Sequence, residues 1–543
     1  MVKLVEGFDL AQEIPNGSTI ALVGFGGMGQ CDKILRAIGE NFKSTGNPNN
    51  LTVFHTAGQS DKSNGIEHIA EEGLISRVIG GHWGLAPKMR KLIEGNKIEC
   101  YCWPQGQLTH LLRAMANKMP GQISPVGLGT FVDPRIEGGK FNEKTNSQKD
   151  MVKLININEE EFLLYPSIPF DYVFIRGTSI DENGNITTEE EPLKLEILSA
   201  AQAAKAFGGK VIAQVKYYAK KDTFHPKDVV VPGYLVDSCV LVEDPETEHR
   251  QVPSTVYSPI FSGDIRTPAK SLAHIPLDIR KVIGRRAVQE LTSSAVVNLG
   301  IGIPGDVIGP ITNEEGLNRE LTLTLESGIV GGVPIGANEF GIARNATAIL
   351  EHEYLFDYYH GAGIDITFMG AAEVDKNGNV NVSKFGSKTV GCGGFIDITQ
   401  SAKKVVFCTT FTGGGLKVEI ESGKLSIVEE GKINKFTDKV NQITFSGNYA
   451  AENAKDVMYV TERAVFVLTK EGLVLTEIAP GIDLVKDVLA QMSFKPIISP
   501  KLKEMDSRIF RDEPMYSNKK FSQEEVSDSL KRHSMDSVIQ RAK

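Results

Sequence analysis

The chain has 543 residues, 41% hydrophobic and 23% charged, with a formal net charge of −9. This is a globular profile, long enough for several domains or two large ones, and its acidic balance argues against nucleic acid or a membrane as partner. Six cysteines, at 31, 100, 102, 239, 392 and 408, match neither a zinc pair nor a disulfide framework, so they read as buried free thiols and no metal site is expected. With no basic-then-apolar leader and no apolar run of ~18 residues, a cytoplasmic location is expected.

Residues 4–15 read as a short helix and Ser18–Val23 as a strand. A glycine turn, Gly24-Phe25-Gly26-Gly27-Met28-Gly29, then opens a helix at Asp32. Strand Leu51–Phe54 ends in His55-Thr56-Ala57-Gly58, and Gly65–Glu72 suggests a helix. Strand Ile75–Ile79, a second glycine turn at Gly80–Gly84 and a helix near Pro87–Glu94 follow. Strand Lys97–Cys102 passes through Trp103-Pro104-Gln105-Gly106-Gln107 into helix Leu108–Lys118. Residues 133–150 are polar and aperiodic, a mobile lid or a plain surface loop. Strand Tyr172–Arg176, turn Asp181–Asn185, helix Pro192–Ala206 and strand Lys210–Val215 complete this half. Strands alternating with helices at this spacing predict an α/β fold with open, largely parallel sheets.

The second half starts again. Strand Ser294–Leu299 leads to Gly300-Ile-Gly302-Ile-Pro304-Gly305, and strand Leu321–Leu325 leads to Glu326. Asp375-x-Asn-Gly-Asn379 repeats Asp181-x-Asn-Gly-Asn185 at an offset of 194 residues, which also brings Asp365 onto Asp171 and Phe368 onto Phe174. Gly300 and Gly302 repeat Gly24 and Gly26 at an offset of 276, and LTLTLESG repeats LTVFHTAG at an offset of 270. Two similar α/β domains are therefore expected, over 1–265 and 276–520, joined by the proline-bearing stretch Val252–Pro276 and followed by a charged helical tail at 521–543. That tail is either solvated or a subunit contact.

The repeat is asymmetric where it matters: Glu326 stands where the first half has Thr56. A carboxylate at the carboxyl end of a strand is where ligands of open α/β sheets bind. Glycines 328, 331 and 332 follow it, as if a ligand lay against that backbone. A competing reading is an NAD-dependent oxidoreductase, with Gly300–Gly305 as a G-x-G-x-x-G fingerprint and Glu326 on the ribose. Against it, Gly309-Pro310 should interrupt the helix that would bear the pyrophosphate after about a turn, and the fingerprint recurs in the first half without an acid.

The blocks GFGGMG, WPQGQL, GIGIP, ESGIVGG, GNVNVSKFG and GCGGFIDI, in this order, resemble those of family I coenzyme A transferases over nearly the whole chain. The resemblance is nearest to single-chain acetate or propionate CoA-transferases, and in that family the halves correspond to two subunits or two fused parts. It implies an α/β fold of two such domains, and transfer of CoA between a short-chain acyl-CoA and a free carboxylate by ping-pong through a glutamyl-CoA thioester on Glu326. It implies no tightly bound cofactor, CoA and acyl-CoA being substrates, and a homodimer or homotetramer. Gln105 would bind substrate or oxyanion, or only stabilise its turn. Gly393 and Gly394 would offer N–H groups to the thioester carbonyl, form a tight turn, or both. Gly26, Gly27 and Met28 would form the opposing wall, or only a turn. Gly300, Gly302, Gly328 and Gly331 would lie in CoA-proximal turns. The family often has asparagine where this chain has His55-Thr56, so no oxyanion role transfers there. Cys392 invites a thiol-nucleophile reading that Glu326 makes unnecessary. His82-Trp83 and Tyr358-Tyr359-His360 read as packing or pocket walls.

Overall fold

The computed structural model describes residues 2–268, 275–317 and 320–516. The charged tail expected at 521–543 lies outside these residues.

The first half is built on an eight-stranded sheet, parallel throughout. Its strands are β1 (Lys3–Leu4), β2 (Thr19–Leu22), β3 (Leu51–His55), β4 (Ile75–Gly80), β5 (Glu99–Cys102), β6 (Tyr172–Arg176), β7 (Lys210–Val215) and β8 (Ser238–Leu241). They lie in the order β1-β8-β7-β6-β2-β3-β4-β5. The central strand β6, YVFIR, is buried at every position, as a parallel strand covered on both faces must be.

The second half carries a ten-stranded sheet of β9 (Val296–Leu299), β10 (Thr322–Leu325), β11 (Ile329–Val330), β12 (Ala348–Ile349), β13 (Ile366–Gly370), β14 (Lys404–Cys408), β15 (Asp456–Val460), β16 (Ala464–Thr469), β17 (Gly472–Ile478) and β18 (Ile497–Glu504). The order is β12-β11-β10-β9-β13-β14-β15-β16-β17-β18. Only its middle, β10 to β15, is an unbroken parallel run; the flanking pairs β12–β11, β11–β10, β15–β16 and β16–β17 are antiparallel.

The repeat is visible in the topology. The run β7-β6-β2-β3 has its counterpart in β14-β13-β9-β10. Asp171 accepts from the Thr19 N–H at 2.7 Å and Asp365 from the Val296 N–H at 2.9 Å, locking equivalent strand starts together. The Asp181 and Asp375 turns make identical bonds. In each, one carboxylate oxygen accepts two backbone N–H groups and the other accepts the amide of the closing asparagine, all between 2.9 and 3.1 Å. Gly184 and Gly378 take φ of 89° and 76° in these turns, which a side chain would oppose.

Several expectations need correction. Gly65–Glu72 is not a helix but a single 3-10 turn over Gly65–His68. Residues 133–150 are no lid: Phe141 and Thr145 are fully buried, and the Thr145 hydroxyl accepts the Cys100 N–H at 2.7 Å, so the segment packs along β5. The linker region includes a short helix, Pro259–Ser262. Pro310 does not break its helix. A π turn over Pro304–Ile308 runs directly into an α-helix over Gly309–Glu314, with the proline in the first turn where no N–H is required of it.

Candidate active site

The carboxyl ends of the two sheets face each other across a cavity of about 170 Å³. From the first half come Phe25 and Gly26 after β2, Gly58 after β3, His82 and Leu85 after β4, and Gln105 after β5. From the second come Gly300 and Ile301 after β9, Glu326 after β10, Met369 and Gly370 at the end of β13, and Val382, Val390 and the Gly391–Phe395 run. The halves are stitched together around it. Trp83 N–H donates to Val390 at 2.7 Å, Gly393 N–H to Gly81 at 2.8 Å, and Gln105 N–H to Gly393 at 2.9 Å.

Four helices start or pack here: α1 (Gln105–Ala116), α2 (Ile197–Ala206), α3 (His352–Gly361) and α4 (Phe395–Ser401). α1 packs on α2 within its own half and meets α3 and α4 of the other. Gln105 is therefore the first residue of a buried helix and not part of a turn. Asp397 of α4 clamps the start of that helix, accepting the Gly106 N–H at 3.0 Å and the Gln107 amide at 2.9 Å.

Glu326 is half-buried and lines the cavity. Burial pushes its carboxyl up to about 7; His352 and a hydrogen bond from Gln105 oppose that rise, and Asp397 adds to it. Gly394 lies directly against it, since a Cβ at 394 would stand 2.2 Å from the Glu326 Oε2. His82 is held near 4, chiefly by burial and secondarily by Arg90, so the cavity wall contributes no charged imidazole at neutral pH.

Of the residues singled out from sequence, Glu326, Gln105, Gly26, Gly300, Gly393 and Gly394 line the cavity together. The others do not. Gly27 faces a separate polar cleft with Asp61 and Pro253, and Met28 is fully buried, its backbone closing the turn with Phe25 in both directions at 2.9 Å. Gly302 is spent in its own turn, accepting the Asp306 N–H at 2.8 Å. Gly328 and Gly331 make room for protein and not for a ligand. Glu326 is followed by a reversal into the antiparallel strand β11, and a Cβ at 328 or 331 would stand 2.2 Å from Leu350 O or 2.3 Å from Thr347 Oγ1. Within the glycine pair the Gly393 N–H is already committed to Gly81, so it is not the free donor expected.

The thiol reading of Cys392 fails on electrostatics. Burial, the neighbouring Cys102 thiol at 3.7 Å and Asp397 all push its pKa well up, so it holds its proton. Thr56 turns away from the cavity and donates its hydroxyl to Glu196. Trp83 is core, Tyr359 is buried under β9 and β10 through Asn298 and Thr324, and His360 lies 3.2 Å from Asp397. Glu196 and His352, both buried beside Gln105, went unnoticed in the sequence. The one available signal was Thr56 itself, a polar residue at the position matching Glu326.

A family described as "Coenzyme A transferase" matches residues 9–241. A caffeate CoA-transferase of Acetobacterium woodii is 46% identical over 518 residues, covering 94% of this chain and 98% of its own. The apoenzyme of the acyl-CoA transferase YdiF from Escherichia coli O157:H7 superposes with a TM-score of 0.89 at 44% identity, over 95% of this chain and 97% of that one. The same protein as a thioester complex with CoA superposes with a TM-score of 0.87 at 44% identity and the same coverage. None of these similarities supports the dinucleotide reading of Gly300–Gly305.

Proposed function

The chain belongs to the coenzyme A transferase family and transfers coenzyme A, and from that premise we propose that Glu326 is its covalent nucleophile and a short monocarboxylic acid its acyl substrate. The supporting observation is the carboxylate itself. It ends β10 inside a largely apolar cavity between two sheets, with Gln105 and Gly394 against it.

The Glu326 carboxylate attacks the thioester carbonyl of the acyl-CoA. The tetrahedral oxyanion collapses, expels CoA thiolate and leaves an acyl-glutamyl anhydride. The thiolate then attacks the glutamyl carbonyl, releasing the first carboxylate and forming a glutamyl-CoA thioester. An acceptor carboxylate attacks that thioester and the two steps run in reverse. Every nucleophile is an anion before it attacks, so no proton is transferred. Preorganised donors at the oxyanion and exclusion of water carry the catalysis. Gln105 and the Gly394 N–H are the donors we assign, in place of Gly393. Among the cavity-lining residues no lysine or arginine stands ready for a second carboxylate on the acyl chain. Acetate, propionate and small 3-keto acids fit this wall. The caffeate in the name of one relative is the larger alternative, to be included in any panel.

The test is direct. After incubation with acetyl-CoA, borohydride reduction and peptide mass spectrometry should find the modification on Glu326, and the Glu326→Ala enzyme should show none. Labelling elsewhere would overturn the assignment. We further propose a cytoplasmic homodimer or homotetramer, which light scattering on the purified protein checks. No helix among the described residues is long and apolar enough to cross a membrane.

A further inference from the structure

A line of buried polar side chains runs behind the nucleophile and crosses between the halves at almost every step. The Thr56 hydroxyl donates to Glu196 Oε1. The other oxygen of Glu196 lies 2.7 Å from Nδ1 of His352. The His352 Nε2 lies 2.9 Å from the side-chain nitrogen of Gln105, and the Gln105 side chain is near enough to Glu326 to favour its carboxylate. Thr56, Glu196, Gln105 and His352 are each no more than 2% exposed.

The fold is bent to make this line. Glu196 sits at the N-cap of α2 and makes no cap bond there. Leu195, just before it, adopts φ of 55°, a left-handed conformation a leucine rarely takes and one that costs on the order of 1–3 kcal/mol. That kink turns the carboxylate inward. It also turns out the Leu195 carbonyl, which accepts the His352 N–H at 3.2 Å. A carboxylate placed this way is not explained by the stability of its own helix.

We propose that Glu196 and His352 are positioning residues for the acyl transfer: Glu196 sets the tautomer of His352, and His352 sets the side-chain amide of Gln105 against Glu326. This rests on Glu326 being the nucleophile. A carboxylate can only accept, so in the neutral imidazole Nδ1 carries the proton and Nε2 is left as a lone pair. A lone pair accepts one N–H of the Gln105 amide. The second N–H then points to Glu326, and to the oxyanion that grows from the attack. Without Glu196 the imidazole is free to put its proton on Nε2. The amide must then rotate to offer its oxygen, withdrawing its donors from the reacting carboxylate. The logic is that of a catalytic triad's carboxylate, which fixes an imidazole without reacting.

Charge around the nucleophile adds a second consequence. Glu326 faces His352 and Tyr359 from α3, Asp397 from α4 and the neutral His82 across the cavity. Burial disfavours a proton on His352, but Glu196, Glu326 and Glu353 outweigh it and raise its pKa above 6.5. Below that pKa His352 is a cation that holds the Glu326 carboxyl down, and above it the neutral tautomer orients Gln105.

The experiment is single-turnover formation of the glutamyl-CoA adduct from acetyl-CoA, followed by intact-protein mass from pH 5.5 to 9, with acetyl-CoA KM and thermal midpoint measured in parallel. In Glu196→Gln, which keeps the volume, the limiting rate at pH 8 should fall about 10- to 100-fold with KM within threefold of wild type. In Thr56→Val, which removes one of the two bonds holding Glu196, it should fall about three- to tenfold. In His352→Asn the acidic limb of the rate profile should move up by about one pH unit, because the cation is gone. Wild-type limiting rates in Glu196→Gln and Thr56→Val would overturn the proposal, as would losses confined to KM and thermal midpoint. If Glu196→Gln does not fold, Thr56→Val decides alone. If the wild-type enzyme forms no adduct on Glu326, the nucleophile assignment fails instead.

Discussion

At Glu326 reactivity and stability pull in opposite directions. Its carboxyl is raised by burial from 4.5 to about 7, so the nucleophilic carboxylate forms only as pH rises through 7. The rate of adduct formation should climb through that range and level off by about pH 8 to 9, which the single-turnover profile reads. The stability effect has the opposite sign. A carboxyl whose folded pKa lies above its unfolded one favours the fold below 4.5 and loses that advantage as pH rises through 7. Glu326→Gln should thus be more stable than wild type at pH 8 by up to about 3 kcal/mol, with the gap closing near pH 4.5 in denaturant titrations. Gly394→Ala tests the contact that positions the nucleophile. Gly394 has φ of −83°, which alanine tolerates, yet its methyl would stand 2.2 Å from Oε2 and 3.1 Å from Phe356 Cζ. The expected result is a folded protein whose limiting rate has dropped at least about 100-fold, since a displacement near 1 Å at a reacting atom costs about that much.

At the level of elements, the duplicated turns offer a paired measurement. Asp181 and Asp375 are both buried and each accepts three hydrogen bonds that close the same turn. Asp181→Ala and Asp375→Ala should each cost about 2–4 kcal/mol in chemical denaturation, and the two costs should agree to about 1 kcal/mol. A large disparity would mean that the copies have diverged in what they support. The strand–reversal after Glu326 follows different rules. Gly328, Gly331 and Gly332 all take positive φ, of 111°, 71° and 78°, and lie against the 344–350 backbone and Thr347. Their sequence signal was genuine, but a glycine needed for close approach does not say whether a ligand or another strand approaches.

For the whole molecule, the cavity belongs to neither half. Gln105 and Gly26 come from one sheet, Glu326 and Gly394 from the other, and the Asp397 carboxylate of the second half holds the first turn of α1 in the first. Expressed as separate chains over 1–265 and 276–543, neither half should transfer CoA, and co-expression should restore activity in a complex that co-purifies. Activity in either fragment alone would contradict a site assembled between them.

The sequence by itself determined the strands and their glycine turns, the duplication, the asymmetry that marks Glu326, and the family through its ordered blocks. All of these are local, carried by periodicity, turn chemistry or short motifs. Tertiary structure decided the rest. Gly393 lost its donor to Gly81, Pro310 was taken into the first turn of the helix over Gly309–Glu314, and residues 133–150 became a packed wall of β5. The same holds for Glu196 and His352, which lie 156 residues apart and meet Gln105 only when the halves close. A hydrogen bond's partner is set by what the fold brings within 3 Å, and neither residue carries any sign of that in its neighbours along the chain.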